Sequence, residues 1–390
     1  MLKSNISTVG GLSLTQIAGI FCVFGCVTRK FNFKLLRSPI VLLVFLIGLY
    51  QVGSYYSYFK NIELSILNNA FFCLIVICTI DTSDRNHFLQ VCLTALFAGY
   101  LLLGTSMLTQ INVLSNSYII NINMDNQIFG NVRHIGFYGI LTLPYVLALT
   151  WEIRNTKFIN ILFIPYILLC IAYNILSYSR LNILIFISII ILCMIKNMGS
   201  NVLPKKFVLL LIIVIILFLP TEMIISFLTK DTLQDISNVT KLNDPTLVHF
   251  TSGRSEIYLY GWEMFKDFPI FGAGYLRWSD SSNVGYNPFE GSNELYSMHN
   301  VHLQYLAEMG IVGLSMYWCL LFFLMILGLK WVNNKHYCEC NNIRDVGTVV
   351  FLVAFIMFIG GMLDNYGLQS RHLFIATGFA VAFSQRYVLQ

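Results

Sequence analysis

Two histidines and three arginines are the residues of this chain that are best suited to chemistry. The histidines, His299 and His302, share the run SMHNVHLQYLAEMGIVGL, and the arginines, Arg133, Arg180 and Arg254, lie beside apolar stretches or in a polar loop. A neutral imidazole can take a proton from an attacking hydroxyl near pH 7, and a guanidinium can bind a phosphate through two parallel hydrogen bonds. These residue types are suited to binding a lipid diphosphate and to activating a hydroxyl.

Each residue type in this region also has a structural interpretation. An arginine at the end of an apolar segment can reach the membrane surface or form an ion pair, which is the interpretation favoured for Arg371 near Asp364. A single histidine is more often a hydrogen-bonded structural residue than a base. Glu308 is expected to cap buried backbone groups rather than to pair with an arginine. Gly310 and Gly313 are expected to allow close helix packing.

The elements that must position these residues are membrane helices. Hydrophobic residues make up 57% of the chain and charged residues only 11%, whereas a soluble domain carries about 25% charged residues. Apolar runs of about 20 residues recur, and each is long enough to cross about 30 Å of hydrocarbon. The chain is therefore predicted to be an all-α polytopic membrane protein with about eleven (ten to twelve) transmembrane helices.

The predicted helices divide the chain into three parts. Helices one to eight occupy residues 1–228, a large polar loop with an interfacial helix occupies 229–302, and helices nine to eleven occupy 303–390. The last motif helix is expected to start near His299 and to run directly into the ninth span. The candidate spans are 10–27, 38–57, 62–81, 87–108, 134–151, 157–175, 181–196, 206–228, 303–331, 346–363 and 371–388.

The distribution of positive charge predicts the orientation of the chain. The net charge is +5, but Lys and Arg cluster in short loops between apolar runs, which indicates membrane topology rather than nucleic-acid binding. The positive-inside rule assigns these loops to the cytoplasm, so the segment 109–133 and the large loop face the outer side. The sequence contains no Walker loop, HExxH, dinucleotide fingerprint or D-x-D, so neither a cofactor nor a metal is predicted.

Two segments then resemble a known signature. GRSEIYLYGWEMFKDFPIFGAGYL and HNVHLQYLAEMGIVGL resemble the shared motifs of the O-antigen ligase and O-antigen polymerase superfamily, including a D-x-P-x-x-G-x-G turn that reads Asp267 to Gly274 here. SYSRLNILIF around Arg180 is similar to the family's S-R at the start of a span. FGNVRHIGFYGILTLP resembles its entry segment, so the resemblance extends in pattern over about 129–314.

This resemblance implies a GT-C-like, inverting, metal-independent glycosyltransferase of the bacterial inner membrane that uses no cofactor. Such an enzyme moves a glycan from undecaprenyl diphosphate to an acceptor hydroxyl at the periplasmic face. The resemblance assigns catalysis to His299 and diphosphate binding to Arg180 and Arg254. Arg133 and His302 are additional candidates.

The acceptor and the class of the protein leave alternatives. The N-x-R form at Asn131 to Arg133, followed by Leu-Pro, is similar to the branch that glycosylates type IV pilins. A pilin-like acceptor is therefore favoured slightly over lipid A core, and both are favoured over polysaccharide polymerisation. A lipid-linked glycan flippase or transporter is the alternative from another class, and it would place essential residues at the membrane midplane. The bias of the candidates towards one face favours a transferase.

Overall fold

The structure is a computed structural model that describes most of the predicted helical segments. It describes residues 38–62, 64–67, 85–113, 120–122, 132–152, 157–176, 180–195, 255–279, 298–333 and 341–363, with separate positions at 70, 73 and between 373 and 381. The predicted spans 10–27 and 206–228 and the candidate residue Arg254 lie outside these residues.

Apolar α-helices make up most of this part of the chain. They are α1 (Pro39–Phe59), α2 (Arg85–Gln110), α3 (Val132–Glu152), α4 (Lys157–Leu176), α5 (Arg180–Ile195), α6 (Ser255–Asp267), α7 (Val301–Asn333) and α8 (Asn341–Leu363). Short 3-10 turns occupy Leu64–Leu67 and Arg277–Ser279. The helices coincide with predicted spans to within a few residues, apart from α6, which matches the predicted interfacial helix.

Length and hydropathy identify the membrane-crossing candidates. In the described part of the chain, four segments are long and apolar enough to cross a membrane, namely Pro39–Phe59, Phe88–Leu108, Val301–Asn333 and Arg344–Met362. Shorter apolar stretches cover Ile135–Leu149 in α3 and Phe163–Ile175 in α4. A helical polytopic membrane protein is thus confirmed, while the total of about eleven helices stays a prediction.

The segment after α2 departs from the all-α prediction. Strands β1 (Ile111–Val113) and β2 (Ile120–Ile122) pair antiparallel, with Ile111 opposite Ile122. The sequences are Ile-Asn-Val and Ile-Asn-Ile, so apolar β-branched residues alternate with Asn at the period of a strand. The predicted all-α class holds for the helical bundle, and this two-stranded hairpin is a local addition that the sequence analysis did not predict.

Helix α8 is largely enclosed by other helices. In its apolar window 78% of the residues are buried, compared with 39% for α7 and 28% for α2, so protein covers most of α8, whereas α7 and α2 leave a larger share of their residues uncovered. Helices α7 and α8 are antiparallel. His302 near the start of α7 bonds to the Phe358 carbonyl near the end of α8, and Gly328 near the end of α7 packs against Gly347 near the start of α8.

Three side-chain proximities define which helix ends lie together. Cys92 near the start of α2 lies within electrostatic range of Asp345 near the start of α8 and of Tyr145 in the second half of α3. Toward the opposite end, Ser106 of α2 lies 2.7 Å from the Tyr173 hydroxyl of α4. The starts of α3, α5 and α7 therefore share one end of the bundle with the ends of α2, α4 and α8. We call this the Arg/His end, because Arg133, Arg180 and His299 lie there.

The contact between α7 and α8 predicts a stability effect. A methyl group at Gly328 would lie 2.6 Å from the Gly347 carbonyl oxygen and 2.7 Å from the Phe351 nitrogen, so Gly328→Ala is expected to destabilise the protein by about 1–3 kcal/mol through overpacking. The measurement is the thermal unfolding midpoint in detergent. Gly104→Ala is the matched control, since a methyl there meets no atom within 4 Å. Equal midpoints for the two variants would contradict this packing.

Candidate functional site

Helix α7 is broken at Gly310. Its backbone has φ 65° and ψ −169°, a conformation outside the helical region, and helical geometry resumes on either side. The expectation that this helix runs directly into the ninth span is therefore wrong. The physical reason is that another segment inserts at the break: residues 268–275, which follow α6 and which we call the docked turn.

The docked turn takes over the hydrogen bonds that the break frees. In an unbroken helix the N–H groups of Ile311 and Val312 would donate to the carbonyls of Ala307 and Glu308. Here these donors bond instead to carbonyls of the turn, and these acceptors receive N–H groups of the turn. The bonds are Ile311 N to Pro269 O (3.0 Å), Val312 N to Ile270 O (3.2 Å), Ala273 N to Ala307 O (3.0 Å) and Gly274 N to Glu308 O (2.9 Å).

Helix α1 also contacts the place where the docked turn meets the break in α7, which we call the joint. The Tyr50 hydroxyl lies 2.9 Å from the Met309 carbonyl oxygen and 3.0 Å from that of Phe271, so its single proton is shared between α7 and the turn. The Ser54 hydroxyl accepts a bond from Tyr275 N at 3.0 Å. The docked turn is thus held by two helices.

Glycine is required where the two backbones meet. Gly272 and Gly310 have φ of 77° and 65°, in the left-handed region that residues with a side chain rarely adopt. A Cβ at Gly272 would overlap the backbone of Glu308, and a Cβ at Gly310 would overlap the Ile270 carbonyl. The glycines of the signature therefore mark a close approach of backbone to backbone. For Gly310 the close contact is with the turn rather than with a neighbouring span.

Glu308 fastens the segment after the turn. Its side chain is fully buried, and Oε1 accepts a hydrogen bond from Trp278 N at 3.1 Å and another from Gln304 Nε2 at 3.2 Å. The expected structural role as a cap of buried backbone is confirmed. Because a buried donor without a partner is costly, this carboxyl group stabilises the position of Trp278 against α7.

His299 lies between the undescribed part of the loop and α7. Its φ is 51°, a left-handed value uncommon for a residue with a side chain, and its carbonyl accepts a bond from the Tyr258 hydroxyl of α6 at 3.4 Å. Asn300 is the N-cap of α7, because its Oδ1 accepts from Leu303 N at 2.9 Å. His299 therefore stands just outside the helix, in a conformation that its neighbours impose.

A small hydrophobic core under α6 anchors the residue before His299. Met298 is fully buried there, and Gly261 of α6 allows its close approach. The cluster consists of Ile257, Met264, Ala273, Trp278, Met298 and Ala307, with Tyr260 and Leu303 packed against it. Helix α6, the docked turn and the start of α7 thus form one unit, and His299 is attached to it.

His302 occupies a different environment from His299. Trp318 Nε1 donates to its Nδ1 at 3.0 Å, and its Nε2 lies 2.9 Å from the Phe358 carbonyl oxygen. A carbonyl only accepts, so Nε2 carries the proton and Nδ1 uses its lone pair for the tryptophan. In this arrangement His302 has no lone pair available for base catalysis, and it ties α7 to α8.

The arginines fall at the end of the bundle where His299 lies. Arg133 is the second residue of α3 and Arg180 is the first residue of α5, and both helix starts belong to the Arg/His end. Arg254 lies outside the described residues, directly before α6. The structure thus brings the backbones of three sequence-predicted residues to one end of the bundle.

Several residues of this unit escaped the sequence reasoning. Tyr50 and Ser54 belong to an apolar helix with no motif, and only their contacts mark them. Asn300 could have been recognised, since Asn before an apolar periodic run is a common helix cap. Arg277 also lies here, with its guanidinium 4.5 Å from the Tyr58 ring centre and bonded to the Ala273 carbonyl at 3.2 Å.

No group of three or more His, Cys, Asp or Glu residues that could hold a metal ion occurs among the residues that the structure describes. Most of the large loop lies outside these residues. Metal independence accordingly stays a prediction.

Fold and site together define a class: a helical membrane protein with a histidine and two arginine-bearing helix starts at one end. The family model described as O-antigen ligase matches residues 165–318, from within α4 to the middle of α7. This match confirms the superfamily that the motifs indicated, and it indicates a glycan-transfer membrane enzyme. No curated protein matches the chain. The pilin branch stays a prediction.

Breaking the joint at Gly310 is expected to release the docked turn. Gly310→Ala adds a methyl group that overlaps the Ile270 carbonyl in a backbone conformation that alanine disfavours, so limited proteolysis between residues 268 and 279 should become faster. Gly53→Ala is the matched control, because a methyl group at Gly53 meets no atom within 4 Å. Identical cleavage patterns in the two variants would show that the turn is not held at Gly310.

The role of Glu308 predicts a difference between two substitutions. Glu308→Gln keeps a side-chain oxygen for Trp278 N and should retain most of the thermal stability, whereas Glu308→Ala removes this buried acceptor, at a cost of about 1–3 kcal/mol. Unfolding midpoints in detergent measure both variants. An equal loss in Glu308→Gln would mean that the negative charge, rather than the hydrogen bond, is required.

Proposed function

We propose that this protein is a glycosyltransferase that moves a glycan from undecaprenyl diphosphate to an acceptor hydroxyl. The observation that supports this most directly is the Arg/His end, where the starts of α3, α5 and α7 carry Arg133, Arg180 and His299. The family match covers Arg180, Arg254 and His299. Cationic residues at the same end of the bundle as a histidine suit a donor whose leaving group is a diphosphate.

In the proposed reaction the acceptor oxygen attacks the anomeric carbon of the glycan. Its proton passes to a ring nitrogen of His299, which acts as general base. The bond between the anomeric carbon and the diphosphate oxygen breaks, and its electron pair leaves with the diphosphate. Attack from the face opposite the leaving group inverts the anomeric centre, and the protonated imidazole then returns its proton to solvent.

Arg180 and Arg254 stabilise the leaving group in this proposal. Negative charge on the bridging oxygen grows as the bond breaks, and two guanidinium groups placed beforehand at that oxygen lower the energy of the transition state. Arg133 lies at the start of α3, at the same end of the bundle, and provides a further cation. No metal ion and no cofactor is assigned a role, because the arginines supply the positive charge.

His299 rather than His302 is assigned as the base. Both ring nitrogens of His302 are engaged, with Trp318 and with the Phe358 carbonyl. His299 is partly exposed and stands outside the helix at the end of the bundle, where an acceptor can reach it. His302 then acts as a helix tie that keeps the start of α7 in place.

The location and acceptor follow from the same hypothesis. The Arg/His end faces the periplasm and the enzyme lies in the bacterial inner membrane, because Arg85, Lys157, Lys330 and Arg344 all belong to the opposite end, which the positive-inside rule assigns to the cytoplasm. A pilin-like protein is the favoured acceptor and lipid A core the next.

The proposed protein keeps the three parts 1–228, 229–302 and 303–390, and the large loop forms part of the active site.

The proposal predicts that single substitutions abolish transfer without loss of protein. His299→Ala, Arg180→Ala and Arg254→Ala should each lower glycan transfer by at least about a hundredfold, as expected for removal of a base or of charge stabilisation. The measurement is the gel mobility and glycan mass of pilin and of lipopolysaccharide in cells with and without each variant. Membrane levels of each variant are compared with those of the wild type.

Lys266→Ala is the matched control. This lysine belongs to the same loop as Arg254, is exposed, and pairs only with Glu263 among the residues that the structure describes, so transfer should be unchanged. Full activity of both His299→Ala and Arg254→Ala would refute the proposed site. Unmodified pilin and lipopolysaccharide together with shortened surface polysaccharide would identify a polymerase instead of a ligase.

A further inference from the structure

Two buried asparagines lie next to the starts of the arginine-bearing helices. Asn182 of α5 is fully buried and donates through Nδ2 to Asn174 Oδ1 of α4 at 2.9 Å. Asn174 is 2% exposed, and its own Nδ2 donates to the Cys170 carbonyl at 2.7 Å. A hydrogen bond between two side chains thus joins the end of α4 to the start of α5.

Helix α3 closes over this pair through a glycine. A Cβ at Gly136 would overlap Asn174 Oδ1 and would lie 3.1 Å from Asn182 Nδ2. The absence of a side chain at this position therefore lets the backbone of α3 rest directly on both amides. We call Gly136, Asn174 and Asn182 the asparagine clamp.

The position of the clamp relates it to the arginines. Asn182 is two residues from Arg180 in the sequence. Gly136 is three residues from Arg133, and three residues correspond to a rise of about 4.5 Å along a helix. A shift of α3 relative to α5 would therefore change the distance between the two arginines. Mutual positioning to within about 0.5 Å is the scale that catalytic groups require.

Buried polar side chains are unusual between apolar helices. Two buried amides lose favourable contacts with water, and they are stable here only while they bond to each other and to nearby backbone. Leucine or alanine would pack these helices without that constraint, but apolar contacts do not fix a single register. A directed amide bond does fix one, because its geometry tolerates little sliding.

We propose that the asparagine clamp sets the relative position of Arg133 and Arg180 for diphosphate binding. Asn174 and Asn182 are positioning residues, which act through the arginines and do not touch the donor. This inference rests on the proposed function, since it takes Arg180 to be a ligand of the diphosphate. It adds residues to which the superfamily resemblance assigned no role.

A double-mutant cycle in purified protein tests the clamp. The readout is the Kd for undecaprenyl diphosphate in detergent, measured for wild type, Asn182→Ala, Arg180→Ala and the double variant. Asn182→Ala is expected to raise Kd about tenfold, the effect of about 1.4 kcal/mol. In the Arg180→Ala background the same change should raise Kd by less than about twofold, because Arg133 then has no partner arginine with which the clamp could align it.

Ser188→Ala is the matched control on the same helix. Among the residues that the structure describes, its hydroxyl bonds only within α5, to the Leu184 carbonyl at 2.8 Å, so Kd should not change. Asn182→Ser, which keeps a shorter hydrogen-bonding group, should give an intermediate Kd and replaces Asn182→Ala in the cycle if that variant aggregates.

The possible outcomes separate the clamp from the proposed function. An unchanged Kd in monodisperse Asn182→Ala protein, or an equal rise in both backgrounds, overturns the clamp while Arg180→Ala still weakens binding. An unchanged Kd in Arg180→Ala overturns the assignment of Arg180 itself. Loss of affinity in both single variants without a further loss in the double variant supports both.

Discussion

The structure depends on how one interrupted helix satisfies its backbone. A helix break inside or at the edge of a membrane leaves N–H and C=O groups without partners, and each costs several kcal/mol where water is excluded. At Gly310 the docked turn provides two carbonyls and two N–H groups at the required positions, and Tyr50 bonds to a further carbonyl. The break and the turn are therefore stable only together.

This constraint reaches the site through a short chain of contacts. The docked turn connects α6 to Trp278, and Glu308 fixes Trp278 against α7. The small core under α6 then buries Met298, whose neighbour His299 is held in a left-handed conformation. A residue between a long loop and a helix thereby gains a defined position, as a general base requires.

The sequence predicted the class of fold and the elements of the site, because these depend on local patterns. Apolar length located the helices α1 to α5 and α7 to α8, and the motif glycines located the turn. It did not predict the break at Gly310, since the glycine there was interpreted as a packing residue, and nothing local shows which backbone it approaches. Nor did it predict that His302 ties α7 to α8, because the partners of His302 are Trp318 and the carbonyl of Phe358, which is 56 residues away.

The central claim is that the Arg/His end binds the diphosphate of the donor beside His299. An experimental structure of the protein in lipid nanodiscs with undecaprenyl diphosphate tests it most directly. The account predicts the diphosphate between Arg180 and Arg254, within hydrogen-bond distance of both guanidinium groups, with the imidazole of His299 facing the bridging position. A diphosphate bound at the opposite end of the bundle, or at the membrane midplane away from all three residues, would contradict it.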